Sequence, residues 1–265
     1  MTAFNLYWRY LSVVFQAKMQ YPLSFVMVTL AAFISSCAEL LGFIALFARF
    51  DNIMGWHLEE VALLYGICKM SLNIWEVIGR GFDQFGAMVK SGDFDIFLLR
   101  PRATALQVAG QEIHVNRLGS VLQAFLVLTW ASIQLKVGPL EVVLLVFAIA
   151  GGTCLFYGLF VMQATICFWT TEGLEVMNIL TFGGSDLGQY PITIYEKWFR
   201  RLFTFIVPIA CISYFPLLTI LGRDDTFLGT PWWLGWLTPI SGFVFLVFSF
   251  FVWNVGVRHY RSTGS

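Results

Sequence analysis

Hydrophobic residues occur in long blocks that alternate with shorter polar stretches along the chain. A helix needs about 20 apolar residues to cross a bilayer, and six blocks approach or exceed that length. The predicted spans are residues 23–47, 58–77, 118–135, 142–168, 199–221 and 240–257. The pattern therefore predicts an all-α polytopic membrane protein with six transmembrane helices, in a single domain over residues 1–265.

The segment before the first apolar block has a different periodicity. Within residues 1–20, Trp8, Leu11 and Phe15 share one helical face, while Arg9 and Gln16 share the other. This spacing predicts an amphipathic interfacial helix that lies in the membrane surface rather than across it.

Three polar stretches between the blocks predict structure outside the bilayer. Residues 79–117 mix charged and apolar positions at helical spacing, and residues 170–198 suggest a short surface helix, a turn and a return. Residues 222–238 contain three tryptophans, a residue type enriched at the headgroup level, and are predicted to form a loop on the outer side.

Composition and charge agree with a membrane protein of defined orientation. The chain is 58% hydrophobic and only 12% charged, its mean hydropathy is +0.75, and its net charge of zero gives no basis for nucleic-acid binding. With six spans, twelve of the sixteen Lys and Arg residues lie on the side of the termini, and only Arg49, Lys136 and Arg223 lie on the other. The positive-inside rule then places both termini and residues 79–117 in the cytosol.

Within residues 79–117, a short apolar segment follows Gly92. Asp93 can cap a helix start, Asp95 then lies in the first turn, Arg100 falls in the last turn and Pro101 stops the helix. The residues between them include Phe94, Phe97, Leu98 and Leu99. This helix of about two turns is too short to span a membrane and too apolar to stand free in water. It either packs on its own protein or docks into a soluble partner.

Two charged residues fall inside predicted spans. Glu39 lies about 12 Å from the outer end of the first span and Lys69 about 16 Å from the same surface, at 1.5 Å per residue. A lone charge near mid-bilayer costs about 2.5–3.5 kcal/mol, which favours an ion pair between neighbouring helices. One interpretation is that the pair fixes the packing of the two helices. A second is that one of the groups faces a cavity and contacts substrate, in which case Glu39 favours a cationic substrate. A third is that Lys69 extends to the membrane surface.

A second polar segment on the predicted cytosolic side contains Tyr190, Pro191 and Glu196, followed by basic residues. Basic residues at a cytosolic membrane surface attract anionic headgroups, so this segment reads as an interfacial anchor or as a second contact with a soluble partner.

The sequence lacks several signatures of catalysis. It has no phosphate-binding G-x-x-x-x-G-K-[ST] loop, no G-x-S-x-G and no H-E-x-x-H, and its three histidines do not have metal-ligand spacing. The five cysteines lie singly in apolar blocks and are predicted to be small core residues. An intramembrane enzyme therefore has no support, and no cofactor is expected in this chain.

Three stretches in order resemble the permease subunits of ABC-2 type exporters, in the subfamily related to daunorubicin-type permeases. The first is Gly92 to Pro101, which is similar to a GxxDxxLLRP motif; the others are Gln189 to Ile192 and Phe205 to Pro216. The resemblance covers about residues 20–258.

This resemblance implies a mechanism and partners. Such permeases pair with themselves or a paralogue in the bacterial plasma membrane, and a cytosolic ATP-binding cassette subunit binds ATP and Mg and drives export. The coupling helix that docks in that ATPase is then Asp93 to Arg100, between spans two and three, and residues 222–238 are an outer re-entrant loop. The alternative of a secondary, ion-coupled transporter requires an internal repeat, and residues 1–135 and 136–265 show none.

Overall fold

The computed structural model describes residues 3–50, 52–170, 175–225 and 228–260. The described residues are predominantly helical and form no strand; a single bridge between Ile53 and Trp56 closes the first loop. The helices are α1 (Ala3–Met19), α2 (Pro22–Arg49), α3 (Leu58–Gly79), α4 (Phe85–Ser91), α5 (Phe94–Leu98), α6 (Thr104–Ala109), α7 (Leu118–Gln134), α8 (Pro139–Thr170), α9 (Glu175–Gly188), α10 (Lys197–Arg201), α11 (Ile209–Ile212), α12 (Tyr214–Leu221) and α13 (Ile240–His259).

Several helices are long and apolar enough to cross a membrane. Among the described residues these are Pro22–Arg49, Leu58–Ser91, Pro139–Thr170 and Ile240–His259. A fifth candidate is Lys197–Ile206 together with Ile209–Leu221, which meet at a bend of 69°. The predicted third span corresponds to α7, which has 17 residues.

Glycines allow the longest helix, α8, to approach its neighbours closely. A Cβ at Gly151 would collide with the Pro239 carbonyl at the start of α13, and one at Gly152 would collide with the Ser71 hydroxyl of α3. The helix runs unbroken from Pro139 to Thr170, so the two glycines serve close packing and do not kink it.

Helix α9 lies inside the bundle, where the sequence predicted a surface helix. Thr181 and Ser185 are fully buried, and a Cβ at Gly188 would meet Cys68 of α3. After α9 the chain continues past Tyr190, whose ring is 5.7 Å from that of Phe43 in α2. Helix α9 therefore runs beside α3 toward the loop that joins α2 and α3.

The bent pair α10 to α12 begins and ends at that same loop. Just before α10, Thr193 accepts a hydrogen bond from the indole of Trp56; just after α12, Arg223 stacks over the same ring, 5.9 Å from its centroid. The pair is therefore a hairpin whose two ends lie at one loop, in place of the single continuous helix predicted over residues 199–221. The run 222–238 packs back along α12, since a Cβ at Gly235 would collide with Phe215 and Thr219.

Candidate docking surface and membrane-embedded charge cluster

The short apolar helix predicted after Gly92 is present as α5, and its two phenylalanines are buried in its own protein. Phe94 is fully buried and Phe97 is 6% exposed. The Phe94 ring lies 5.0 Å from Phe85 and 5.0 Å from Tyr260. We call its surroundings the aromatic cluster: Phe82, Phe85, Phe94, Phe168, Trp253 and Tyr260. This cluster connects α5 to the ends of α8 and α13.

The ends of α5 differ from the predicted caps. Asp93 has helical backbone angles and makes no capping hydrogen bond; its carboxylate instead accepts a hydrogen bond from the Ser91 hydroxyl at 2.6 Å. Arg100 lies over the Phe97 ring, 5.5 Å from its centroid, and so covers a buried ring in addition to following the helix end. Asp95 is half-buried, and Pro101 is exposed beyond the helix.

Two contacts hold the loop around α5 in place. The buried Gln107 amide donates to the Phe97 carbonyl and to the Arg102 carbonyl, both at 3.2 Å. A Cβ at Gly81 would collide with the Val108 carbonyl, so only glycine fits where the chain leaves α3. The chain around α5 therefore forms an ordered lobe at one end of the bundle.

The opposite face of α5 is apolar and uncovered within the described chain. Leu99 is 86% exposed, Ile96 is 51% exposed and Leu98 is 42% exposed. We call these three side chains the apolar edge. Phe94 and Phe97 were predicted as docking residues together with Leu98 and Leu99, but they are buried and cannot contact a partner. Ile96 was missed, although the helical spacing of 94 and 97 already places 96 and 99 on the other face.

A buried charge network lies where α3 leaves the bundle. The Glu76 carboxylate, only 2% exposed, lies 3.4 Å from Arg80 Nη1 and 3.1 Å from Arg117 Nε. Arg80 also contacts Asp83 and the His114 ring. Burial, and secondarily the Arg80 guanidinium, lowers the pKa of His114. The network joins α3 to the start of α7, and Glu76 was not singled out from the sequence because Arg117, its partner at 3.1 Å, is distant in the chain.

The two intramembrane charges of the sequence meet in the structure, and a third joins them. Lys69 Nζ lies 2.5 Å from Glu39 Oε1 and 3.2 Å from Asp186 Oδ1. Asp186 also accepts a hydrogen bond from Gln189 at 2.9 Å. Lys69 has a side chain only 12% exposed, so it is packed between helices and does not extend to a surface.

The residues predicted as a second cytosolic contact lie far from α5 in the structure. Tyr190 packs on Phe43, Pro191 and Glu196 flank the segment that contacts Trp56, and all lie at the loop joining α2 and α3. That loop is at the opposite end of α3 from the lobe around α5. One soluble partner at the apolar edge therefore cannot also contact Tyr190, Pro191 and Glu196.

No metal site appears among the described residues, where no group of three His, Cys, Asp or Glu side chains could hold an ion. All five cysteines are free thiols; Cys68 and Cys167 are buried, as predicted, and the other three are half-buried.

The fold is that of a helical integral membrane protein with a lobe at one end that exposes an apolar edge. A family model described as ABC-2 family transporter protein matches residues 33–264, nearly the whole chain. The chain belongs to this family, and the expected family resemblance is confirmed, although the subfamily is not identified. Comparisons with curated proteins and with solved structures found no match.

Proposed function

We propose that this chain is the permease subunit of an ATP-binding cassette exporter and moves its substrate out of the cytosol or the inner leaflet. The family supports a transport subunit of an ABC transporter. The observation that carries the finer proposal is the apolar edge, three exposed side chains on a lobe whose other face is packed into the bundle. Such an edge requires a soluble partner, and a separate ATPase subunit that binds ATP and Mg is the partner that supplies energy.

The aromatic cluster provides a mechanical path from that partner to the bundle. Phe94 touches Phe168 near the end of α8 and Tyr260 just after α13, and Trp253 of α13 donates a hydrogen bond to Thr104 at 3.1 Å. Tightly packed rings transmit displacement because the interior has little free volume. A movement of α5 on ATP binding would therefore shift α8 and α13, which are themselves closely packed at Gly151.

The proposed topology retains six crossings and changes the fifth. Helices α2, α3, α7, α8, α9 and α13 cross, while α10 to α12 form a re-entrant hairpin from the outer side that continues into 222–238. Helix α9, with 14 residues, rises about 21 Å, and residues 189–194 complete the distance to the outer loop. Both termini and the apolar edge face the cytosol of a bacterium, α1 lies in the inner-membrane interface, and a second permease copy or paralogue completes the transporter.

The apolar edge can be tested by co-purification of the permease with an ATPase subunit encoded beside it. Changing Leu98 and Leu99 to Asp should abolish co-purification and ATP-driven export, because a carboxylate cannot be buried unpaired in an apolar groove. The permease should remain monodisperse in detergent, since both side chains are solvent-exposed.

Met54→Asp is the matched control. Met54 is 70% exposed and apolar, but it lies in the loop at the opposite end of the bundle. Retention of the ATPase by the control and its loss by the double variant supports the proposal. Retention by both, with transport intact, would show that the apolar edge is not the docking site.

A further inference from the structure

Helices α2, α3 and α9 meet at the Glu39–Lys69–Asp186 cluster, and we call the partly exposed surface around it the cleft. Helix α3 forms its floor, where Lys69 is 12% exposed, while Glu39 projects from α2 and Asp186 from α9. The two carboxylates remain 48% and 64% exposed. Lys69 lies 11 residues into α3, or about 16 Å from its outer end, so the cleft opens at membrane depth.

The cluster has one negative charge in excess and two carboxylate oxygens available. Lys69 contacts Glu39 Oε1 and Asp186 Oδ1; within the described chain, neither Glu39 Oε2 nor Asp186 Oδ2 has a partner. Because both carboxylates bind the same ammonium, these oxygens lie near each other. Exposed carboxylates at this depth are unfavourable against lipid tails, so this face borders a polar path rather than hydrocarbon.

A polar side chain outside the ion cluster also lies on this face of α3. Asn73 follows Lys69 by four residues and therefore lies one turn further toward the lobe on the same face. It is 6% exposed, yet its side chain has no hydrogen-bond partner in the part of the chain that the structure describes. An amide on a nearly buried residue that has no partner in the protein is a group that a ligand can satisfy.

Aromatic rings lie on the other side of the cluster. Phe43 of α2 lies 5.8 Å from Tyr65 and 5.7 Å from Tyr190, which follows α9. Aromatic faces attract cations and pack against apolar groups. Carboxylate oxygens beside such rings suit a ligand that combines positive charge with an apolar body.

We propose that this cleft binds the positively charged group of an amphiphilic organic cation, with Glu39 and Asp186 as the charged contacts and Asn73 as a hydrogen-bonding contact. Lys69 holds the two carboxylates close together through its contacts with both of them. The inference rests on the proposed function, since it assigns a substrate class to the exporter, and it extends to Asp186 and Asn73 a role that the sequence suggested only for Glu39.

The test uses two probes of nearly equal shape and opposite charge, tetraphenylphosphonium and tetraphenylborate. Binding of each to the full chain in phosphatidylcholine nanodiscs is measured by equilibrium dialysis, with empty nanodiscs subtracted. The full chain should bind the cation in preference to the anion. The double variant Glu39→Gln with Asp186→Asn leaves Lys69 unpaired, so it should bind the cation at least tenfold more weakly and reverse the preference.

Glu59→Gln is the matched control, because it removes a carboxylate from the same helix α3 outside the cleft and should leave both affinities unchanged. Asp186→Glu keeps the charge and should keep the preference, which decides the matter if the double variant does not fold. Equal binding of both probes by the full chain, or an unchanged preference in the double variant, would overturn the proposal. No ATPase is present in this assay, so its result is independent of the docking test at the apolar edge.

Discussion

Residues of similar type in the lobe around α5 differ in burial, and sequence spacing predicts this difference only in part. Phe94 and Leu99 are both apolar and five residues apart, but one is fully buried and the other is 86% exposed. Burial is decided by which face of α5 meets α8 and α13, and that choice depends on Phe168 and Trp253, which are far away in sequence. The motif at α5 therefore contains both a buried face and an exposed face.

This difference predicts that two alanine substitutions change the free energy of unfolding by very different amounts. Phe94→Ala removes a ring from the aromatic cluster and should reduce the free energy of unfolding by about 3–5 kcal/mol. Leu99→Ala changes an exposed side chain and should stay within about 0.5 kcal/mol of the wild type. Thermal unfolding of the purified variants in one detergent measures both. Similar losses in the two variants would mean that the lobe is packed differently.

The lowered pKa of His114 predicts a pH dependence of stability. The imidazole loses hydration on burial, and the Arg80 guanidinium opposes its protonation; Arg117 and Lys18 act in the same sense, and Glu112 in the opposite one. Below a pH of about 6.5 the unfolded chain binds the proton more readily than the native one, so stability falls as the pH drops through the lowered native pKa.

Substitution of His114 by Gln should therefore reduce this loss. The unfolding midpoint of the wild type should fall more steeply than that of the variant between about pH 7.5 and pH 5. Parallel curves for the two proteins would show that His114 is protonated equally in both states.

At the scale of elements, hydropathy located five apolar helices well and predicted one continuous span where the structure has the hairpin α10 to α12. Helices α2, α3, α7, α8 and α13 begin and end within a few residues of the predicted spans. Hydropathy cannot distinguish a crossing from a hairpin that enters and returns, because both are apolar. Helix α9 carries Asp186 and reads as a surface helix, but Lys69 pairs with that charge inside the bundle.

The hairpin predicts that positions 54 and 198 lie on the same side of the membrane. In a cysteine-free background, a membrane-impermeant maleimide added to intact cells should label Met54→Cys and Trp198→Cys but not Leu99→Cys. Trp198 is 67% exposed, so access is not limited by burial. If position 198, like position 99, is labelled only after permeabilisation, residues 199–221 cross the membrane as the sequence predicts.

At the scale of the whole molecule, the hairpin alters the distribution of charge. In the proposed topology Lys197, Arg200 and Arg201 lie on the outer side, which reduces the excess of cations on the side of the termini but does not reverse it. The Arg200 guanidinium donates hydrogen bonds to the carbonyl oxygens of Thr193 and Tyr195, so local structure fixes its position.

The sequence by itself determined the membrane class, the family, most helix boundaries and the existence of a short apolar helix between the second and third spans. The family follows from the resemblance of three motifs in order, and the other properties follow from local composition and periodicity. Which face of α5 is exposed, the hairpin of α10 to α12, and the joining of Asp186 to Glu39 and Lys69 were decided only by the tertiary structure. Each depends on contacts between helices separated by tens of residues or more, and the pairing of a charge or the burial of a ring is a property of both partners together.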